Sequence, residues 1–231
     1  MTVSDRIMVC PPYPLRMRYR AVLFDFDFTL GDSSEGIILC VNTALEQMGR
    51  EKASPELIRK AIGLSLAETY KLVSGDGSRR RAKRFSELFI EAADRNMTLT
   101  AELYPYSLPL LRAFRRDGIK VGVITTKYRR RIVEILDKYE VPDILDVIIG
   151  GDSVKRPKPD PEGLLKACTK LNVPVSSALY IGDSEVDAKA AAAAGMDFVG
   201  VLTGITGSDV LEKYPHRAII DDLESIPDVL M

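Results

Sequence analysis

The sequence predicts an α/β protein, a doubly wound parallel sheet carrying an inserted α-helical segment, and three observations lead there. A short apolar run, Arg20 to Phe24, ends abruptly at the carboxylates Asp25 and Asp27, which reads as a buried strand delivering acids at its C-terminal end. The following stretch of roughly 70 residues has helical spacing and no convincing strand until residue 120. After Tyr104-Pro105 the chain alternates helix and strand, the pattern of parallel strands joined by crossover helices.

Taken in order, residues 1–17 hold Pro11, Pro12 and Pro14 and little periodic hydrophobicity. They read as an extended N-terminal extension, with Met17 an alternative start. From Ser33, an expected N-cap, the apolar positions Ile37, Ile38, Val41, Leu45 and Met48 have helical spacing, and Gly49 is a natural stop. Further helices are expected over 54–62, 65–73 and 77–96. Beyond them come helix 107–117, strand 120–124, helix 129–139, strand 146–149, helix 160–171, strand 178–181, helix 184–194 and strand 197–201. The division expected is a core of 18–32 and 105–231 interrupted by a helical insertion at 33–104.

Composition narrows the function classes. The 231 residues are 46% hydrophobic and 28% charged, which excludes a disordered, collagen-like or disulfide-stapled chain. Lys+Arg at 32 against Asp+Glu at 33 leave a net charge of -1, so neither nucleic acid nor a membrane is expected as a partner. Cys10, Cys40 and Cys168 are scattered and form no metal-binding spacing, which suits a reducing, cytoplasmic compartment. No apolar run is long enough to span a bilayer. The single histidine, His216, lacks a serine or cysteine partner motif and argues against a histidine-based triad.

In open parallel sheets ligands bind beyond the carboxyl ends of the strands, so chemistry is sought in the loops there. Asp25 and Asp27, two residues apart, share a face. Two adjacent carboxylates repel unless a cation or proton lies between them. Asp183 adds a third acid, and an all-oxygen ligand set of this kind suits Mg²⁺. Lys158 brings a compact positive charge and Thr125 a hydroxyl to the same rim, a combination fit for phosphoryl transfer. Taken singly, each has a plainer reading: a strand-end aspartate as turn former or helix cap, Lys158 as a solvated surface lysine.

The order of the motifs overturns those plainer readings. DFDFTL, VITTK, RPKPDP and YIGDSEVDAKAAAAAG, in that sequence, resemble the four motifs of the haloacid dehalogenase superfamily of hydrolases and frame the chain from Ala21 to about Val201. The helical insertion resembles the cap of its phosphoglycolate phosphatase-like branch. The resemblance implies that Asp25 is the nucleophile and forms an aspartyl-phosphate, with Asp27 as general acid and then general base. It implies Mg²⁺ held by Asp25, the Asp27 backbone carbonyl and Asp183, with Asp187 supporting the metal shell or orienting Lys158. Thr125, Thr126 and Lys158 are then the phosphate-binding residues.

Asp27 favours phosphatase over dehalogenase, because an alkyl halide needs no leaving-group proton. Phe28 stands where many relatives carry glycine, and its ring is expected to narrow the leaving-group pocket. Thr125-Thr126-Lys127 stands where phosphoglycolate phosphatases often have Thr-Asn-Lys. Gly63-Leu64-Ser65-Leu66 reads either as a substrate-specificity loop or as a turn with Ser65 as N-cap. Lys127 is a candidate for phosphate proximity, and Arg79, Arg80 and Arg81 read as a solvated helix face.

The expected function is a Mg²⁺-dependent phosphatase acting on a small phosphorylated metabolite, phosphoglycolate first, as a monomer or homodimer. The alternatives are a sugar-phosphate, nucleotide or pyrophosphate phosphatase, a β-phosphoglucomutase-like mutase and, from another class, a non-catalytic binding protein.

Overall fold

The structure, a computed structural model, describes residues 18–230, so the predicted N-terminal extension lies outside the described residues. The elements run β1 (Ala21–Phe24), β2 (Gly31–Asp32), α1 (Ser34–Gln47), α2 (Pro55–Arg59), α3 (Leu66–Ser74), α4 (Arg79–Thr100) and β3 (Glu102–Leu103). The chain continues through α5 (Ser107–Arg116), β4 (Lys120–Ile124), α6 (Arg129–Lys138), β5 (Val147–Ile149), α7 (Glu162–Leu171), β6 (Ala178–Gly182) and α8 (Glu185–Ala194). It closes with β7 (Asp197–Val201), α9 (Ser208–Leu211), β8 (Ala218–Ile220) and α10 (Ile226–Leu230).

Six strands form one parallel sheet in the order β5-β4-β1-β6-β7-β8. The central strands are buried on both faces, as Ala21–Phe24 and Ala178–Gly182 show by being apolar throughout apart from Tyr180. One face packs Val22, Phe24, Phe114 and Ile132, and the other packs Leu23, Leu164, Tyr180 and Phe198. The chain leaves β1 toward β4 on one side and leaves β6 toward β7 on the other. The crevice at the carboxyl ends of β1 and β6 is therefore the point where strand order reverses.

The helices α1 to α4 form a separate layer with its own core, built from Val41, Leu45, Ile58, Tyr70, Phe85 and Leu88. In α1 the buried Ile37, Val41, Ala44 and Leu45 follow helical periodicity, and they lie against α4. Two short links, β2 and β3, join this layer to the sheet and pair antiparallel. Gly31 lies so close to the Glu102 carbonyl that any Cβ there would collide with it, so glycine is what lets the two links touch.

The structure departs from the expectations at short or locally ambiguous elements. Strands β2 and β3 span two residues each and precede residue 120, too short to show any alternation. The elements α9, β8 and α10, which no sequence pattern predicts, are three to five residues long. Ser33 precedes α1 but makes no side-chain cap bond, and its buried Oγ has no partner among the described residues. Asp32 does the capping instead, its Oδ1 accepting from the Ser34 amide at 2.7 Å. Ser65 does cap α3, in a reciprocal box with Glu68.

Candidate active site

The segment after β1 alternates. Phe24 and Phe26 enter the same core cluster, which leaves Asp25 and Asp27 on the opposite side. The chain then folds tightly back, the Leu30 and Gly31 amides both donating to the Phe26 carbonyl and the Phe28 amide donating to that of Gly31. Phe28 closes the turn at φ +60°, in the left-handed region that suits glycine. Its carbonyl accepts from the Thr203 hydroxyl. The ring is buried yet does not line the cavity described below, so the expected narrowing of the pocket by Phe28 is not found.

Asp25, Asp183 and Asp187 converge from the ends of β1 and β6 and the first turn of α8, one carboxylate oxygen from each lying within 4.8 Å of the others. Burial pushes the Asp25 carboxyl up to about 7, against the opposing pull of Lys158. Burial, and then the like charges of Asp187 and Asp25, hold Asp183 well above the carboxylate range. Thr29 donates its hydroxyl to Asp183 Oδ1 at 3.3 Å. Gly204 packs so tightly on the Asp183 carboxylate that a Cβ would overlap it. The donor set is all oxygen and crowded with like charge, which fits a hard divalent cation such as Mg²⁺.

Lys158 lies among these acids, its Nζ 3.0 Å from Asp25 Oδ1 and 2.6 Å from Asp187 Oδ1. Burial alone would lower its pKa, but the Asp187 and Asp25 charges raise it above the ordinary lysine value. Asp187 Oδ1 also accepts from the Tyr180 hydroxyl at 2.7 Å, while Oδ2 accepts from the Ser184 amide at 3.2 Å. Ser184 is the N-cap of α8 and Asp187 its reciprocal partner, so one capping box fixes the helix and holds the acid that orients Lys158.

Thr125 follows β4 and is buried, with its Oγ1 accepting from the Lys127 amide at 3.2 Å. Thr126 and Lys127 face a cavity of about 340 Å³ between sheet and helical layer, which Asp27 also lines. Gly63, Leu64, Ser65 and Leu66 line it from the opposite side, so this loop both caps α3 and walls the cavity. Asp27 stands apart from the three-carboxylate cluster: its Oδ2 lies 3.1 Å from Lys127 Nζ, and its buried Oδ1 has no hydrogen-bond partner among the described residues. The structure thus gathers Asp25, Asp183 and Asp187 into one cluster, with Lys158 in contact with Asp25 and Asp187, and sets Asp27 and Thr126 on the adjoining cavity wall. Tyr180 was not among the residues expected from the sequence, although a tyrosine within the apolar run of β6 is itself a signal. His216 is exposed, and among the described residues its ring nitrogen Nδ1 meets the Tyr214 carbonyl at 2.8 Å.

A parallel α/β sheet with a helical layer over its carboxyl end, and acids gathered at the reversal point, defines a capped hydrolase of the phosphoryl-transfer type. The haloacid dehalogenase-like hydrolase family matches residues 22–201, and the chain belongs to that family. Phosphoglycolate phosphatase from Pseudomonas putida is 32% identical over 213 residues, covering 90% of this chain and 78% of its own length. The enzyme of the same name from Cereibacter sphaeroides is also 32% identical, with 90% and 96% covered. The solved structure of a haloacid dehalogenase-like hydrolase from Bacteroides fragilis superposes with a TM-score of 0.87 at 40% identity, covering 90% of this chain and 99% of that one.

Proposed function

We propose that this protein is a Mg²⁺-dependent phosphatase that hydrolyses a small phosphomonoester through an aspartyl-phosphate on Asp25, with phosphoglycolate as the leading substrate. The observation that carries the reading is the contact of Asp25 with Lys158 inside a crowded three-carboxylate cluster, beside a cavity that Asp27 lines. The name carried by the Pseudomonas and Cereibacter relatives supports phosphoglycolate.

Asp25 attacks phosphorus in line, and the ester oxygen leaves toward Asp27. Asp27 hands that oxygen a proton, then takes one from the water that cleaves the acyl-phosphate. Lys158, Thr125 and Thr126 hold the phosphoryl oxygens, and Asp187 keeps Lys158 in place. Asp25, the Asp27 carbonyl and Asp183 are the residues that would hold Mg²⁺, which when bound neutralises phosphate charge. The helical layer over the cavity keeps bulk water from the acyl-phosphate.

Phosphate release is measured from phosphoglycolate, hexose phosphates, nucleoside monophosphates and pyrophosphate, with Mg²⁺ or with EDTA. Release that needs Mg²⁺, vanishes in Asp25→Asn and falls about 10²–10⁴-fold in Asp27→Asn is expected. Undiminished turnover in Asp25→Asn would rule out the covalent route.

A further inference from the structure

Two buried lysines flank the DFDF turn, one on each carboxylate, and their surroundings differ. Lys158 faces a closed pocket of Asp25, Asp187 and the Tyr180 hydroxyl. Lys127 faces the open cavity. Its backbone is pinned at both ends, the amide donating to Thr125 Oγ1 and the carbonyl accepting from the Gly151 amide at 2.8 Å. Its Nζ lies 3.1 Å from Asp27 Oδ2 and 3.4 Å from Met97 Sδ on α4. One ammonium therefore touches both the core acid and the helical layer.

The rest of the cavity offers little to a second anion. Ile37, Ile62, Leu64, Phe89, Ile90 and Met97 make its wall largely apolar. Arg131 also lines it, but its guanidinium is engaged by Asp94, by Glu134 at 3.7 Å and by the Ile90 carbonyl. An anionic group placed there without a counter-charge is strongly disfavoured. Lys127 is bound to Asp27, the acid that must turn toward the leaving oxygen. Through that contact, 3.1 Å from Asp27 Oδ2, the same lysine stands on the side of the site that Asp27 serves.

Resting on the phosphatase reading above, we infer that Lys127 is a specificity-determining residue that binds a second negative charge carried by the alcohol portion of the substrate close to the ester oxygen. The preferred substrates are phosphomonoesters of acidic alcohols, a hydroxy-carboxylate in particular. Lys158 serves the transferred phosphoryl group and Lys127 the departing one. A neutral alcohol in the same cavity leaves Lys127 on Asp27, where it hinders the acid.

The test compares kcat/KM for 2-phosphoglycolate and for 2-hydroxyethyl phosphate, in which a neutral CH2OH replaces the carboxylate. Wild type, Lys127→Met and Lys127→Arg are assayed with Mg²⁺. Wild type is expected to prefer phosphoglycolate by about tenfold to a hundredfold, the range of a charge-assisted contact. Lys127→Met is expected to abolish that preference, mainly through KM for phosphoglycolate, and Lys127→Arg to keep most of it. An equal fall for both substrates in Lys127→Met would reduce Lys127 to a positioning residue for Asp27 and overturn the inference. A wild type indifferent to the carboxylate would overturn it without any variant, leaving the phosphatase reading intact. Release from neither substrate nor the wider panel would remove that reading and this inference together.

Discussion

Phe28 shows how one residue is held against its own backbone preference. At φ +60° a non-glycine residue carries strain of about 1–3 kcal/mol, and a bulky ring belongs at the upper part of that range. The ring is buried, and removing a buried phenyl group costs about 3–5 kcal/mol. Burial outweighs strain, so Phe28→Gly is expected to destabilise the fold by about 2 kcal/mol despite restoring the residue that the turn favours. Urea unfolding checks this, and a gain in stability would show that strain is the larger quantity. The other residues of the turn were legible in the sequence because DFDF alternates two core phenylalanines with two acids. The pairing of Asp27 with Lys127 was not, since it joins positions 100 residues apart and depends on how β1 and β4 sit side by side.

Among the elements, the turn between α3 and α4 is tied together by a single carboxylate. Asp76 accepts from Arg81, from Arg50 at 2.5 Å, from the Tyr70 hydroxyl at 2.8 Å and from the amide of Ser78, the N-cap of α4. The Arg81 guanidinium and the Ser78 amide hold its pKa well below the ordinary value of 3.8. A carboxylate depressed on folding stabilises fully above its unfolded pKa, and that stability is lost as the pH falls below it. Asp76→Asn is therefore expected to lower the urea midpoint at pH 7 and to converge on wild type as the pH is taken from about 4 toward 2. A difference that stays constant across that range would mean that the contact acts by shape rather than charge. Helices α1, α3 and α4 were readable from their periodicity, and Ser65 from its spacing to Glu68. The links β2 and β3 were not, because two residues of pairing leave no periodic trace.

For the whole molecule, the fold gathers acids from separate crossovers at one reversal point, which creates a stability conflict. Asp25, Asp183 and Asp187 crowd together, and the raised pKa values of the first two record the burial and repulsion. Asp183→Asn, which removes one buried like charge, is expected to raise the thermal midpoint in EDTA. Mg²⁺ at a hundred times its Kd should stabilise wild type by about 2.7 kcal/mol, or roughly 5–10 °C for a domain of this size. The same addition should leave Asp183→Asn nearly unmoved. An equal Mg²⁺ shift in both proteins would place the cation elsewhere. Among the described residues no helix is long and apolar enough to cross a membrane, consistent with the modest hydropathy of the chain.

What the sequence determined by itself was the alternation of strands and helices and the order of the acidic motifs. Both are local patterns: a period of two or of 3.6, or a carboxylate at the end of an apolar run. Lys158 was legible because it falls in RPKPDP, the third of four ordered motifs, and Asp183 because it ends the run from Ala178 to Gly182. Tertiary structure decided which acids touch which lysine, that Tyr180 and Ser184 hold Asp187, and that Gly63 to Leu66 face Lys127 across a cavity. Those contacts join elements far apart in the chain, and their geometry follows from sheet order and helix packing. No local pattern encodes a distance between two side chains, so the leaving-group side of the site emerges only when the helical layer folds over the sheet.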